Sequence, residues 1–187
     1  MSVLNSFSPV DLQSRSLPVR LLAMAIGTVL LAISSRIEVP MVPVPVTMQT
    51  FTVAMIGALY GWRLGTATVL AWLGQAALGL PVLAGGGGGL AHFAGPTGGY
   101  LVAFAVMAAQ IGWLAERGWN GDRAGLAFLS MLAGNLICLA LGAAWLSRGI
   151  GWDAAITHGV LPFLIGAVLK SAVGALALRQ LGRPRRA

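Results

Sequence analysis

From Val19 to Leu181 the chain passes through one apolar stretch after another with hardly a break. About 20 consecutive apolar residues suffice for a helix to cross the hydrocarbon core of a bilayer. Only 9% of the 187 residues are charged, where a water-soluble domain carries about 25%. These runs predict an all-α integral membrane protein in which residues 19 to 182 form a single membrane domain. Residues 1 to 18 and the basic segment 183 to 187 are its tails. The first 20 residues are polar for too long to resemble a secretory signal and are expected to stay attached.

Six helices are expected, near residues 19 to 37, 48 to 61, 63 to 80, 97 to 117, 124 to 147 and 155 to 181. The second is short for a span, which points to little tilt or to burial behind its neighbours. An even number puts both termini on one side. That side would hold Arg15, Arg20, Arg63, Arg117, Arg123, Arg179, Arg183, Arg185 and Arg186, and the other only Arg36 and Arg148. Such an asymmetry makes the first side the cytoplasm. The net charge of +7 is thus orientation information, and nucleic acid is not an expected partner.

Two loops then face outwards. In EVPMVPVPVT, Pro40, Pro43 and Pro45 fix φ and lack an N–H, so residues 39 to 46 must be extended. An apolar strap of this kind is expected to pack over something rather than to wave in solvent. The second loop, GLPVLAGGGGGLAHFAGPTGGYL, has no lysine and hence no Gly-Lys-Ser/Thr, and no GxGxxG register fits it. It is not a phosphate cradle. Glycines such as Gly88 and Gly89 let backbone groups approach a ligand, and Pro81, Leu83, His92 and Phe93 supply apolar and ring-bearing flanks. Residues 85 to 89 read as a pliable lid, with a slack linker as the alternative. Gly95-Pro96-Thr97-Gly98-Gly99-Tyr100 reads as a firm helix entry, capped by Thr97, whose first-turn N–H groups can face a ligand or simply be capped.

Lys170 lies 17 residues after Asp153 and nine before Arg179, the next charges on either side. A lysine at that depth costs about 2.5 to 3.5 kcal/mol on insertion scales and normally faces the protein interior, a cavity or a partner; snorkelling is the alternative. His158, Pro162, Gly166 and Lys170 are spaced four apart as one stripe of helix six. The one acidic residue within the predicted helices is Glu116, at the end of the fourth, so at the depth of Lys170 a ligand carboxylate or backbone and amide oxygens must satisfy the ammonium. On helix five, Gly134, Asn135, Cys138, Gly142 and Trp145 fall on neighbouring faces. Asn135 can meet a ligand or glue helices together, and Trp145 can stack on a flat ligand. At the start of helix two, Thr47, Gln49, Thr50 and Phe51 could line an outward cavity or simply mark a helix start at the interface.

Other chemistry is not supported. His92 and His158 lack carboxylates or cysteines at ligand spacing, so no metal site is expected. No set of nucleophile, base and orienting acid is present either, so no catalytic residue is assigned. Cys138 is alone and reads as a small packing residue. On helix one, Ala23 and Gly27 are four apart, suited to close packing within the chain or against another subunit.

Together, VPMVPVPVTMQTF, the 79 to 101 glycine stretch, Gly134-Asn135 and PFLIGAVLK resemble the biotin-specific substrate-binding (S) component of energy-coupling factor vitamin transporters. The resemblance runs from helix one to helix six. It implies a compact six-helix S-component fold in the bacterial cytoplasmic membrane, with a pocket closed by the two outer loops. Biotin is the implied ligand, with no cofactor. The implied partners are a transmembrane coupling subunit, met by Ala23 and Gly27, and two cytoplasmic ATPases; membrane lipid surrounds the chain, and a homo-oligomer is compatible with it. Many relatives read Gly-Asp-x-x-Lys where this chain has Ala167 before Lys170, so the lysine carries over and the aspartate does not. An S component for another carboxylate-bearing vitamin is the nearest alternative, and an integral-membrane enzyme a more distant one.

Overall fold

A computed structural model describes Leu12 and residues 15–182; Arg183, Arg185, Arg186 and most of the N-terminal tail lie outside the described residues. Helix α1 spans Leu17–Arg36, with Pro18 in its first turn, where a missing N–H costs nothing. The proline-rich strap that follows is not helical, but it is strand only at its two ends and bends back on itself between them. Strand β1, Glu38–Val39, pairs antiparallel with β2, Val46–Thr47, in the register Glu38 to Thr47. Between the two strands run residues 40 to 45.

Helix α2, Gln49–Ala77, contains the second and third predicted helices without a linker. At Gly61 the backbone turns through φ 77°, ψ 173°, a region essentially reserved for glycine. The halves 49–60 and 62–77 fold back on each other so closely that a Cβ on Gly65 would lie 3.1 Å from the Gly57 Cα. Helix α4, Gly98–Ala115, crosses this hairpin at equally close range: a Cβ on Gly112 would meet the Trp62 backbone nitrogen at 2.5 Å. Without a hydrophobic drive between helices in lipid, such small-residue contacts are what let helices pack. Before α4, the segment after α2 forms a 3-10 turn at Ala84–Gly86 and the short α3, Ala91–Ala94.

Helix α5 runs Ala124–Ile150. The sixth predicted helix is broken: α6, Trp152–Gly159, and α7, Leu161–Gly182, meet at Val160 with φ −121° and ψ −59°. Pro162 has no N–H to donate to the His158 carbonyl, and the helix parts there. The expected His158-to-Lys170 stripe therefore does not exist as a single face. His158 is exposed on α6, and a Cβ on Gly166 would have nothing within 4 Å.

Among the described residues five helices are long and apolar enough to cross a membrane. Large apolar side chains, among them Leu22 and Ile33 on α1 and Ile165 and Leu169 on α7, are exposed, as lipid contact requires. Inside, Trp72, Leu31, Met107, Ile111 and Met131 are fully buried. Several polar residues are satisfied by their own helix: Thr28 donates to the Ala25 carbonyl, Ser34 to Leu31, Ser35 to Ala32 and Thr68 to Leu64. The small-residue face of α1 lies against α2. The Tyr60 hydroxyl donates to the Ala23 carbonyl at 3.0 Å, and a Cβ on Gly27 would stand 3.2 Å from the Tyr60 ring and 3.6 Å from Ile56. Ala23 and Gly27 are thus covered by the chain's own second helix.

Candidate functional site

A cavity of about 470 Å³ lies between the β1–β2 hairpin, the 78–97 segment and the facing sides of α2, α4, α5 and α7. That is the size range of small-molecule sites. From α7 it takes Phe163, Ala167 and Lys170, whose spacing of four and three residues is the true inward stripe of this helix. Lys170 is nine residues into α7, or about 14 Å at the helical rise.

The ammonium of Lys170 donates to the Thr47 carbonyl and, at 3.3 Å, to the Thr50 hydroxyl. Two of its three donors are thereby used. Among the described residues it makes no ion pair with a carboxylate. Its charge is held by dipolar oxygens, and one N–H remains to be placed.

Gln49 sits beside it, buried, in the first turn of α2. The Thr47 hydroxyl donates to Gln49 Oε1 at 2.8 Å, and Nε2 is buried and without a partner among the described residues. An unpaired buried donor costs about 1 to 3 kcal/mol. A residue lining a cavity can recover that cost when a ligand supplies the acceptor.

Across the cavity, Asn135 on α5 donates from Nδ2 to the Met131 carbonyl at 3.0 Å and to the Ser171 hydroxyl at 3.3 Å. A carbonyl can only accept, so the nitrogen must face Met131. Both amide protons are used, and Oδ1 is the group left for a ligand. Asn135 thus both glues α5 to α7 and lines the cavity.

The aromatic wall comes from α4 and α7. Tyr100 stacks on Phe163, with ring centroids 6.3 Å apart and planes 27° apart, and Phe104 follows one helical turn along. The Tyr100 hydroxyl donates to the Gly159 carbonyl at 2.8 Å, anchoring α4 to the residue before the α6–α7 break. The Tyr100 ring occupies the space a Cβ on Gly142 would fill.

At the mouth, Pro40, Met41, Val42, Val44 and Pro45 of the hairpin and Leu83, Ala84, Gly85, His92 and Thr97 of the 78–97 segment line the cavity. The strap therefore does pack over something. The glycine run is folded rather than slack. Leu83 N–H donates to the Gly87 carbonyl at 3.0 Å, and Gly89 N–H to Ala76 at 2.7 Å. Gly88 and Gly89 lie behind the lining, where Gly88 rests against the Leu80 backbone.

Other predicted positions are also placed outside it. Phe51 and Gly98 do not reach the cavity. Trp145 donates from its ring nitrogen to the Gly95 carbonyl at 2.9 Å and packs on Gly99, with the Arg148 guanidinium 5.1 Å from its ring. It braces the entry of α4 from behind. Thr97 occupies the cap position of α4, but its side chain makes no capping bond. Its backbone is helical (φ −87°, ψ −7°), not the extended form that aims an N-cap oxygen at the first-turn N–H groups.

Several lining residues escape sequence reasoning. Phe104 and Phe163 read as ordinary apolar residues in lipid-length runs; only their spacing from Tyr100 and Lys170 could have marked them. Glu38, at the start of the strap, is given no role by the sequence but lines the cavity. Cys138, assigned to packing, is buried and lines the cavity.

Residues 8–187 match the model of the BioY family. A probable biotin transporter of Pyrococcus horikoshii is 36% identical over 157 residues, covering 84% of this chain and 92% of the relative. The biotin transporter of Rhizobium etli is 40% identical over 156 residues, covering 79% and 83%. A crystal structure of the S-component for biotin from an ECF-type ABC transporter matches with a TM-score of 0.78 at 31% identity, over 87% of this chain and 89% of that one.

Proposed function

The chain belongs to the BioY family, and on that premise we propose that it is the membrane-embedded biotin-binding subunit of a vitamin uptake system whose ATP hydrolysis is performed by partner subunits. One observation carries this reading. Among the described residues, the cavity sets a lysine with no acidic partner, an unused buried amide donor at Gln49 and a free amide oxygen at Asn135 against an aromatic and aliphatic wall. Biotin asks for these groups. Its ureido carbonyl needs donors, its ureido N–H groups need an acceptor, its thioether ring needs apolar surface and its carboxylate needs a cation or N–H groups.

The arrangement suits a site that binds its ligand and releases it unchanged. The arginine asymmetry supports an orientation with both termini in the cytoplasm and the hairpin outside, in which the cavity takes biotin from the outer face. With Ala23 and Gly27 covered by α2, the face of α1 left for a coupling subunit is the exposed one bearing Leu22, Ala25, Ile26 and Val29.

Equilibrium titration of the purified protein with radiolabelled biotin, in competition with other carboxylate-bearing vitamins, tests the reading. Saturable binding displaced by biotin alone is expected. Equal displacement by another vitamin, or no binding, would overturn it.

A further inference from the structure

The hairpin and the glycine loop both line the cavity, and among the described residues two side chains hydrogen-bond one segment to the other. Arg36, the last residue of α1, donates from Nη2 to the Pro81 carbonyl at 2.7 Å. Glu38, the first residue of β1, accepts from the Gly85 N–H with both carboxylate oxygens, at 3.1 and 3.2 Å. The junction between the end of α1 and the start of β1 thus grips the loop at two points four residues apart. The Arg36 guanidinium also lies flat over Gly86, with Nη1 2.7 Å from where a Cβ would stand. Gly86 has φ 75°, a conformation glycine adopts without strain. A side chain at residue 86 would strain the backbone and push the guanidinium aside.

We propose that Arg36 and Glu38 are positioning residues that clasp the glycine loop over the cavity mouth and thereby set how long the ligand stays. This rests on the biotin-binding reading for its ligand. The clasp has the character of a release device. Its contacts are exposed, where each net bond is weak and water can replace it. Neither contact involves the Lys170, Asn135 or Gln49 groups, so the mouth can open while those stay in place. Glu38 is bound to a backbone N–H and so does not compete for Lys170. Opening must break both contacts, and a closed loop must bring Pro81 and Gly85 back into register with one rigid stretch.

The test uses the full chain in lipid nanodiscs, with Arg36→Ala, Glu38→Ala and, as the conservative variant, Glu38→Gln, which keeps an acceptor oxygen. Release of radiolabelled biotin is followed after a chase, and amide exchange over residues 79 to 97 is measured without ligand. Each alanine variant should release biotin roughly threefold to tenfold faster, as loss of one exposed hydrogen bond implies. Glu38→Gln should recover part of the change. Exchange should quicken in the loop but not in α5. Unchanged release together with unchanged loop exchange in both alanine variants overturns the clasp. Faster loop exchange in variants of a protein that binds no biotin would uphold the clasp and remove the biotin reading instead.

Discussion

The inner end of the cavity and its mouth are built from different materials. Inside, Lys170, Asn135 and Gln49 project from helices and are tied by hydrogen bonds that include the buried Asn135–Met131 and Asn135–Ser171 contacts. At the mouth, two-residue strands, a 3-10 turn and a four-residue helix are joined by exposed side chain–backbone bonds. Helices in lipid cannot rearrange without exposing backbone groups to hydrocarbon, whereas loops at the water interface exchange partners cheaply. Recognition should therefore reside in the helices and access in the loops. Mutations in the first region should change affinity, and those in the second should change rates.

Lys170→Met offers the largest break in this comparison. It keeps the stem and removes the charge, so biotin affinity should fall about a hundredfold, as loss of a hydrogen bond to a charged group in a dry site implies. Stability should not fall with it, because a lysine at this depth is itself costly. Titration and thermal unfolding of the same sample separate the two. A fall in stability with unchanged affinity would make Lys170 only the tether of Thr47.

Asn135→Ala comes next, at about tenfold in affinity, since it removes one neutral acceptor and frees the Ser171 hydroxyl to rely on its other bond, to the Ala167 carbonyl. A variant that titrates like the parent would leave Asn135 as glue alone. At the mouth, Gly86→Ala should act mainly on rates. It places a methyl group against the Arg36 guanidinium and strains a positive φ, so release should quicken a fewfold while the equilibrium unfolding of the helices stays put. If affinity collapsed as it does in the lysine variant, the division between the two regions would fail.

How much of this could be read from the chain depends on the scale at which each feature is encoded. Helix number and order were legible because runs of apolar residues encode them over about 20 positions. The strap over the cavity was legible because three prolines forbid a helix. The α6–α7 break was available in principle from Pro162, but a proline in an apolar run also fits a merely kinked helix, and only the loss of the His158 stripe shows which occurred. The fold-back at Gly61 leaves no loop to recognise; one glycine conformation replaces the linker. Lys170 and Asn135 stood out as polar residues in lipid. Phe163, Phe104 and Ala167 did not, because hydrocarbon and a hydrophobic pocket ask for the same side chains.

Trp145 gives the smallest expected effect on binding and the sharpest boundary between the regions. A tryptophan near a ligand cavity usually invites a stacking role, and its sequence position gives no reason to refuse one. In the structure its ring nitrogen is spent on the Gly95 carbonyl and its body covers Gly99. It belongs to neither the inner end nor the lid but fixes where one joins the other. Trp145→Phe removes the hydrogen bond and keeps most of the packing, so stability should fall by about 1 kcal/mol while biotin affinity stays within about twofold, the change that a few tenths of a kcal/mol would cause. Tryptophan-edited protein in a thermal melt and a biotin titration reads both. A loss of affinity without a loss of stability would mean that the ring reaches the ligand, and would move the start of α4 from scaffold to binding site.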